Sequence, residues 1–172
     1  MRGPRLRRSH KVGLAGALFA AVALLFSQFH GKKVEGEVVA VLDGDTIEVM
    51  REGKAQRVRL YGVDCPEKRQ PYGRAAKQFT SSLCFGKVVS VRVVDKDRYG
   101  RLVGDVTLPD GRGLNRELVR AGLAWWYRAY SKDSTLKDLE DEARSARRGL
   151  WADKNPTPPW EYRERLREGG HD

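Results

Sequence analysis

The central part of this chain contains no histidine. The three histidines are His10, His30 and His171, all close to one end of the 172-residue sequence. Their placement excludes serine–histidine catalysis, cysteine–histidine catalysis and histidine-ligated metals from the central part of the chain. The sequence also has just two cysteines, too few for a structural zinc site. Any chemistry here has to come from carboxylates and basic side chains.

Long hydrophobic runs are also few. No apolar run reaches the roughly 20 residues that a full membrane span requires. The longest, Val12–Phe26, has fifteen residues and follows a basic stretch that ends at Lys11. Counting to Phe29 gives eighteen residues, enough for a short signal anchor, and Ser27–Gly31 is a poor cleavage site. We expect residues 1–31 to be an uncleaved signal anchor or a cleaved signal peptide. The domain would be exported in either case, membrane-anchored on the outer side or else secreted or periplasmic.

Acidic residues are outnumbered by basic ones. The chain has 33 Lys and Arg against 23 Asp and Glu, a net charge of +10, and its charged fraction of 33% suits a globular body. Five of the surplus positive charges lie in residues 1–31, which leaves +5 on the remainder. A basic domain favours a polyanionic partner through counterion release and steering, although charge alone does not establish one.

Periodicity predicts a β-rich domain with helices. Alternating hydrophobicity predicts five strands, at residues 34–42, 46–50, 56–60, 87–94 and 101–108. Helical spacing predicts three helices, at residues 72–85, 115–121 and 136–150. This order fits an α+β fold built on a small closed five-stranded barrel of the oligonucleotide-binding type, preceded by an N-terminal hydrophobic helix. We assign the barrel domain to residues 32–152 and a Pro-containing, charged, extended tail to residues 153–172.

Three short polar segments separate the hydrophobic alternations. They are DGDT at residues 43–46, RLYGVDCPE at residues 59–67 and DRYGR at residues 97–101. Together they supply carboxylates that can hold a hard cation, an acid that can activate water, and guanidiniums that can neutralise a phosphate. The side chains concerned are Asp45, Asp64, Glu67, Arg59 and Arg101.

In this order, and with Leu118–Ala124 and Gly149–Trp151 following, these segments resemble the staphylococcal nuclease (thermonuclease) family over about residues 34–151. The resemblance implies the same barrel and a calcium-dependent endonuclease. Such an enzyme hydrolyses DNA and RNA with low sequence specificity and leaves 3′-phosphates. The expected partners are these nucleic acids, and the membrane if the leader is uncleaved. No protein partner is evident.

The resemblance also implies a metal site. It assigns Ca²⁺ to Asp45, to Asp64 at the end of the third strand, and to the backbone carbonyl of Cys65. The family member that names the fold has threonine at the position of Cys65, but a carbonyl ligand does not require a particular side chain. Oxygen donors favour Ca²⁺, with Mg²⁺ and Mn²⁺ as alternatives. Asp43 is either a turn residue or a residue that orients the ligands.

The remaining roles come from the same resemblance. Glu67 corresponds to the general base, and Arg59 and Arg101 to the two arginines that grip the scissile phosphate. Three positions correspond to side chains that contact the nucleotide, with Arg128 standing where a tyrosine is expected. These positions are Arg98, Arg128 and Tyr130.

Several alternatives stay open from the sequence. Trp125-Trp126-Tyr127 can be core residues or a platform for base stacking. The segment from Glu67 to Tyr72 is shorter than the family's mobile loop, which affects substrate access. Cys65 and Cys84 either form a disulfide or remain free thiols, with Cys84 as a small buried hydrophobe. The competing function is a non-catalytic nucleic-acid-binding barrel, which would not need all five of the site side chains.

Overall fold

The computed structural model describes residues 31–169 of the chain. The predicted leader and its hydrophobic helix lie outside these residues, apart from Gly31. Between residues 31 and 169, no helix has the length and apolar character needed to cross a membrane.

The strands within the described residues are β1 Lys33–Val41, β2 Thr46–Arg51, β3 Lys54–Leu60, β4 Val63–Asp64, β5 Val88–Lys96, β6 Leu102–Thr107 and β7 Trp125–Trp126. Five of them close into a barrel, as predicted, in the order β1-β2-β3-β6-β5. Neighbouring strands are antiparallel except β3 and β6, which run parallel and close the barrel with Arg59 opposite Val103. The two short strands β4 and β7 form a separate antiparallel pair.

Alternation along the strands decides which side chains fill the barrel. Val58 and Leu60 on β3 are buried in the core, as predicted, and Arg59 between them points outward. On β5 every second residue, Val89, Val91 and Val93, is buried in the same core.

Asp64 does not end the third strand, which is a correction to the sequence prediction. β3 stops at Leu60, and Asp64 lies on the separate strand β4. Gly62 between them has φ 73°, a left-handed conformation that breaks the strand. A side chain there would meet Ser131 and Leu136 at 2.9 Å, so both conformation and space require glycine. This break turns β4 towards β7.

Four α-helices occur within residues 31–169, one more than predicted. They are α1 Gly73–Cys84, α2 Leu114–Arg120, α3 Ser134–Ser145 and α4 Pro159–Glu168, and a 3₁₀ helix covers Gly149–Ala152. The third predicted helix, residues 136–150, ends early because Arg147 has φ 52° and the Leu150 amide donates to the Gly122 carbonyl at 2.8 Å. Asp133 caps α3 by accepting from the Thr135 amide at 3.0 Å.

Helix α4 corrects the prediction of an extended C-terminal tail. Its first residue is Pro159, which is favourable at the first helical position because its fixed φ suits a helix and no N–H is needed there. Trp160 stacks on Tyr127 with ring centroids 5.5 Å apart and meets the Trp125 ring edge-on at 5.6 Å. The helix therefore packs on Trp125 of β7 and on Tyr127, which directly follows that strand.

Candidate active site

Asp45 is held at the turn between β1 and β2. Its amide donates to Asp43 Oδ1 at 3.2 Å, the turn geometry expected of an aspartate at position 43. The Thr80 hydroxyl on α1 donates to the Gly44 carbonyl at 2.5 Å and fixes the turn to that helix. Asp45 Oδ2 accepts from the Cys65 amide at 2.7 Å. The backbone of the proposed carbonyl ligand therefore lies directly beside the first proposed carboxylate ligand.

Asp64 is placed by the short sheet that β4 forms with β7, where it lies opposite Trp125. Its side chain is only 1% exposed. Burial of a carboxylate requires charged or hydrogen-bonding partners, and Asp64 has two, Arg59 and Arg163.

Arg59 connects these two acids. Its Nη1 lies 2.7 Å from Asp45 Oδ2 and its Nη2 lies 2.7 Å from Asp64 Oδ1, with the side chain 16% exposed. The Nη2 contact is an aligned hydrogen bond, whereas the Nη1 contact is an ion pair without good hydrogen-bond alignment. One guanidinium thus brings together two carboxylates from different elements.

Glu67 joins the cluster through a residue that sequence reasoning missed. Arg163 on α4 donates from Nη1 to Glu67 Oε1 at 2.8 Å and from Nη2 to Asp64 Oδ2 at 2.9 Å. The Glu67 side chain is 41% exposed, far more than that of Asp64. The sequence did not predict this contact, because Arg163 is one of several arginines near the C-terminus and no motif distinguishes it from the others.

The main chain of Glu67 is fixed by a second residue that the sequence did not single out. The Glu67 amide donates to Gln70 Oε1 at 2.8 Å, and Gln70 Nε2 donates to the Thr157 carbonyl at 3.1 Å. Gln70 is buried, which is uncommon for glutamine and is explained by these two bonds. The loop is thereby tied to the segment that leads into α4.

Arg101 lies apart from the acids. Its Nε donates to Asp97 Oδ2 at 2.6 Å and its amide to Asp97 Oδ1 at 3.0 Å. Among the described residues its ion-pair partner is Asp97, not one of the three site acids. Arg101 immediately precedes β6, the strand that pairs with β3 and places Val103 opposite Arg59.

The residues predicted to contact substrate are exposed. Arg98 donates to the Tyr99 hydroxyl at 2.7 Å, and the Arg128 guanidinium lies 5.7 Å from the centre of the Trp126 ring. Tyr130 is 67% exposed and its ring lies 4.7 Å from that of Tyr127. In the aromatic cluster Trp125 is buried against Trp151, with ring centroids 4.4 Å apart, which is the core alternative for that residue.

Both cysteines are free and buried. Cys84 donates from Sγ to the Thr80 carbonyl at 3.1 Å, so it is accommodated inside α1 as a small buried residue. Burial, and next the nearby Asp45 charge, raise the pKa of the Cys65 thiol well above its usual value. The structure therefore has the free-thiol alternative and not the disulfide.

Carboxylates outnumber guanidiniums in the site. Asp43, Asp45, Asp64 and Glu67 lie near two arginines, Arg59 and Arg163. Burial, and next the Asp45 charge, raise the pKa of Asp43 to about 7. Burial also raises the pKa of Asp64, although the Arg163 hydrogen bond and the Arg59 charge oppose that rise. A further cation would relieve this excess of negative charge.

The donor set fits a hard divalent cation. Asp45, Asp64 and the Cys65 carbonyl offer oxygen alone, which suits Ca²⁺, Mg²⁺ and Mn²⁺. Over residues 31–169, no group of three or more His, Cys, Asp or Glu side chains comes close enough to hold an ion unaided. A cation bound here would need the backbone carbonyl and water or substrate oxygens besides the two aspartates.

The chain is similar to proteins that carry nuclease names. A family model described as "Staphylococcal nuclease homologue" matches residues 57–153. An "Uncharacterized endonuclease" of Escherichia coli O157:H7 is 52% identical over 132 residues, covering 77% of this chain and 86% of the relative. A "Micrococcal nuclease" of Shigella flexneri is 41% identical over 157 residues, covering 86% of this chain and 90% of the relative. "Protein ParB" of Escherichia coli is 38% identical over 167 residues, 91% of this chain and 93% of the relative.

Proposed function

The chain belongs to the staphylococcal nuclease family, and from this premise we propose that it is a divalent-cation-dependent endonuclease acting on DNA and RNA with little sequence preference. One observation carries the proposal. Asp45 and Asp64, from separate elements, both lie 2.7 Å from the guanidinium of Arg59, and Glu67 is linked to Asp64 through Arg163.

The proposed ligands of the cation are Asp45, Asp64 and the Cys65 carbonyl, with Ca²⁺ favoured by the oxygen donors. When bound, a divalent cation supplies positive charge that stabilises a non-bridging phosphate oxygen. Asp43 supports the first ligand by accepting from the Asp45 amide at 3.2 Å.

Glu67 is the proposed general base. Its half-exposed side chain reaches solvent, and the hydrogen bond that its amide donates to Gln70 fixes its backbone, so it can take a proton from the attacking water. Pro66 precedes it and restricts the backbone further. Attack on phosphorus with loss of the 5′-oxygen leaves 3′-phosphates, the outcome that the family resemblance implies.

Arg59 and Arg101 are the proposed phosphate-binding residues. Arg59 is on β3, and Arg101 immediately precedes β6, the strand that pairs with β3. A planar guanidinium can bind two oxygens of a phosphate at once, which suits both residues to this role. Charge that develops on the phosphoryl oxygens in the transition state is stabilised by such fixed donors. Arg98, Arg128 and Tyr130 are exposed and lie where a nucleotide can be contacted or stacked.

We also propose that the enzyme acts outside the cytoplasm. Support comes from the sequence of residues 1–31, in which a basic stretch precedes an apolar run. The chain would be membrane-anchored with its barrel on the outer side, or secreted or periplasmic after cleavage.

The test is digestion of plasmid DNA and of RNA by the purified full chain, with calcium and with EGTA. We expect cutting of both substrates with calcium and loss of cutting with EGTA. Asp64→Asn should abolish cutting, whereas the exposed control Asp153→Asn should not. Equal cutting with EGTA would contradict the cation assignment. Binding without cutting in both conditions would favour the non-catalytic barrel.

A further inference from the structure

Helix α4 reaches into the active site. Arg163 spans two acids with different roles in the proposed function, the metal ligand Asp64 and the general base Glu67, at 2.9 and 2.8 Å. A further contact of 3.4 Å joins Arg163 Nη1 to Asp64 Oδ1. A positive group from the C-terminal end of the described chain therefore occupies one carboxylate that a cation would need, Asp64, and also pairs with the proposed base, Glu67.

The helix is docked by contacts that do not involve these acids. Trp160, three residues before Arg163 and so on the same side of the helix, stacks on Tyr127 at 5.5 Å with the rings nearly parallel at 2°. Gln70 holds the Thr157 carbonyl just before the helix. Packing of the helix thus sets the position of the Arg163 guanidinium beside the acids.

Both oxygens of Asp64 already have an arginine partner, Oδ1 in Arg59 and Oδ2 in Arg163. A cation bound to Asp64 would lie beside both guanidiniums, and positive groups gathered at one carboxylate repel each other. This repulsion favours loss of the arginine contact that is held less firmly. Arg163 is 38% exposed against 16% for Arg59, and it lies on a peripheral helix and not on the barrel. Arg163 is therefore the less costly of the two to displace.

We propose that α4 is an autoinhibitory helix whose Arg163 competes with the cation for Asp64 and pairs with Glu67, and that cation binding releases it. The inference rests on the cation site of the proposed function. It adds that Arg163 raises the cation concentration needed for activity, and that Glu67 is freed to act as a base only after this release. The cation would thus both bind in the site and displace the helix that covers it.

The test measures calcium binding and helix protection in the full chain. Isothermal titration calorimetry should show that Arg163→Ala binds calcium about tenfold more tightly than the unchanged chain. The matched control is Arg165→Ala, whose exposed side chain is 3.6 Å from Glu161 on the same helix. It should leave the affinity unchanged. Trp160→Ala retains Arg163 but loosens the helix, and it should also tighten calcium binding.

Hydrogen exchange separates release from a simple charge effect. Calcium should speed amide exchange over residues 159–168 in the unchanged chain, while exchange in the strands of the barrel stays the same. Unaltered exchange over the helix, or an Arg163→Ala affinity equal to or weaker than the control's, would overturn the proposal. If the unchanged chain binds calcium and cuts nucleic acid in that case, the proposed function stands. If it does neither, the proposed function itself has failed.

Discussion

Arg59 determines how the two proposed metal ligands are arranged. Asp45 and Asp64 are buried, and each lies 2.7 Å from a different nitrogen of the one guanidinium. Taking charges out of water is costly, and removing one partner of such a group leaves an uncompensated charge behind. The residue that would bind phosphate in the reaction therefore also stabilises the site without substrate.

The two arginines should respond differently to replacement by lysine. Arg59→Lys keeps the charge but cannot reach both aspartates, so we expect a strong loss of rate and a destabilisation of about 1–3 kcal/mol. Arg101→Lys, paired with Asp97 near the surface, should lose rate while stability changes by less than about 0.5 kcal/mol. Digestion rates and urea unfolding measure the two effects.

Lys87→Ala and Lys137→Ala are the controls for this comparison, because both lysines are exposed and lie away from the acids. Neither should change the rate. If all four variants lost the same rate, the arginines would act through general charge alone.

Glu67→Gln tests the base directly. The amide keeps the shape of the side chain but cannot accept the proton, so turnover should fall by roughly 10²–10⁴ while substrate affinity changes far less. Steady-state kinetics at saturating calcium give both values. Glu35→Gln, an exposed residue of β1, is the matched control and should be normal. Near-normal turnover of Glu67→Gln would rule out Glu67 as the base.

The loop that carries Glu67 depends on a close approach to the start of α1. A Cβ on Gly73 would lie 2.0 Å from the Glu67 carbonyl oxygen, which is too close for any real contact. This position admits no side chain unless the loop moves, so the placement of the base and the start of the helix are coupled.

Gly73→Ala should therefore destabilise the fold by about 1–3 kcal/mol and also lower turnover. Urea unfolding and digestion assays measure these losses. Gly169→Ala is the control, since a Cβ there meets nothing within 4 Å. Unchanged stability and turnover for Gly73→Ala would show that the loop adjusts freely.

The barrel was predictable from the sequence because its elements repeat simple periods. Val58 and Leu60 alternate with Arg59, and the burial of the two apolar residues in the barrel and the outward direction of Arg59 follow from that alternation. Asp45 and Asp64 were singled out by their polar segments and do meet in space. The end of α3 was not predictable, since it depends on a contact between Leu150 and Gly122 from another part of the chain.

Helix α4 could not be predicted for a related reason. Pro159 is the one buried residue of this helix and Trp160 is half-buried, so hydrophobic periodicity is weak, and the prolines before the helix are typical of extended chain. Arg163 and Gln70 act through partners far away in sequence, and nothing local marks such residues. Local sequence patterns do not reveal which distant residue a single polar side chain will contact.

Across the whole molecule, the net charge of +10 should make substrate binding depend on salt. Four phosphate contacts, by Arg59, Arg98, Arg101 and Arg128, correspond to a slope of about −3 in log affinity against log salt for a single strand. Fluorescence anisotropy with a labelled oligonucleotide in EGTA measures this slope without cutting. Arg128→Ala should make it less steep by about one contact, and a slope near zero would contradict an electrostatic interface.

The parallel pairing of β3 with β6 also decides when the enzyme can become active during its synthesis. The two strands are separated in sequence by β4, α1 and β5, so the barrel cannot close until β6 has been synthesised. Until that point Arg59 is on a free edge, without the strand that pairs with it. Closure between distant segments is a slow kind of folding step. The wall of the barrel around Arg59 is therefore completed only after the segments that carry Asp45, Asp64 and Glu67 have been made.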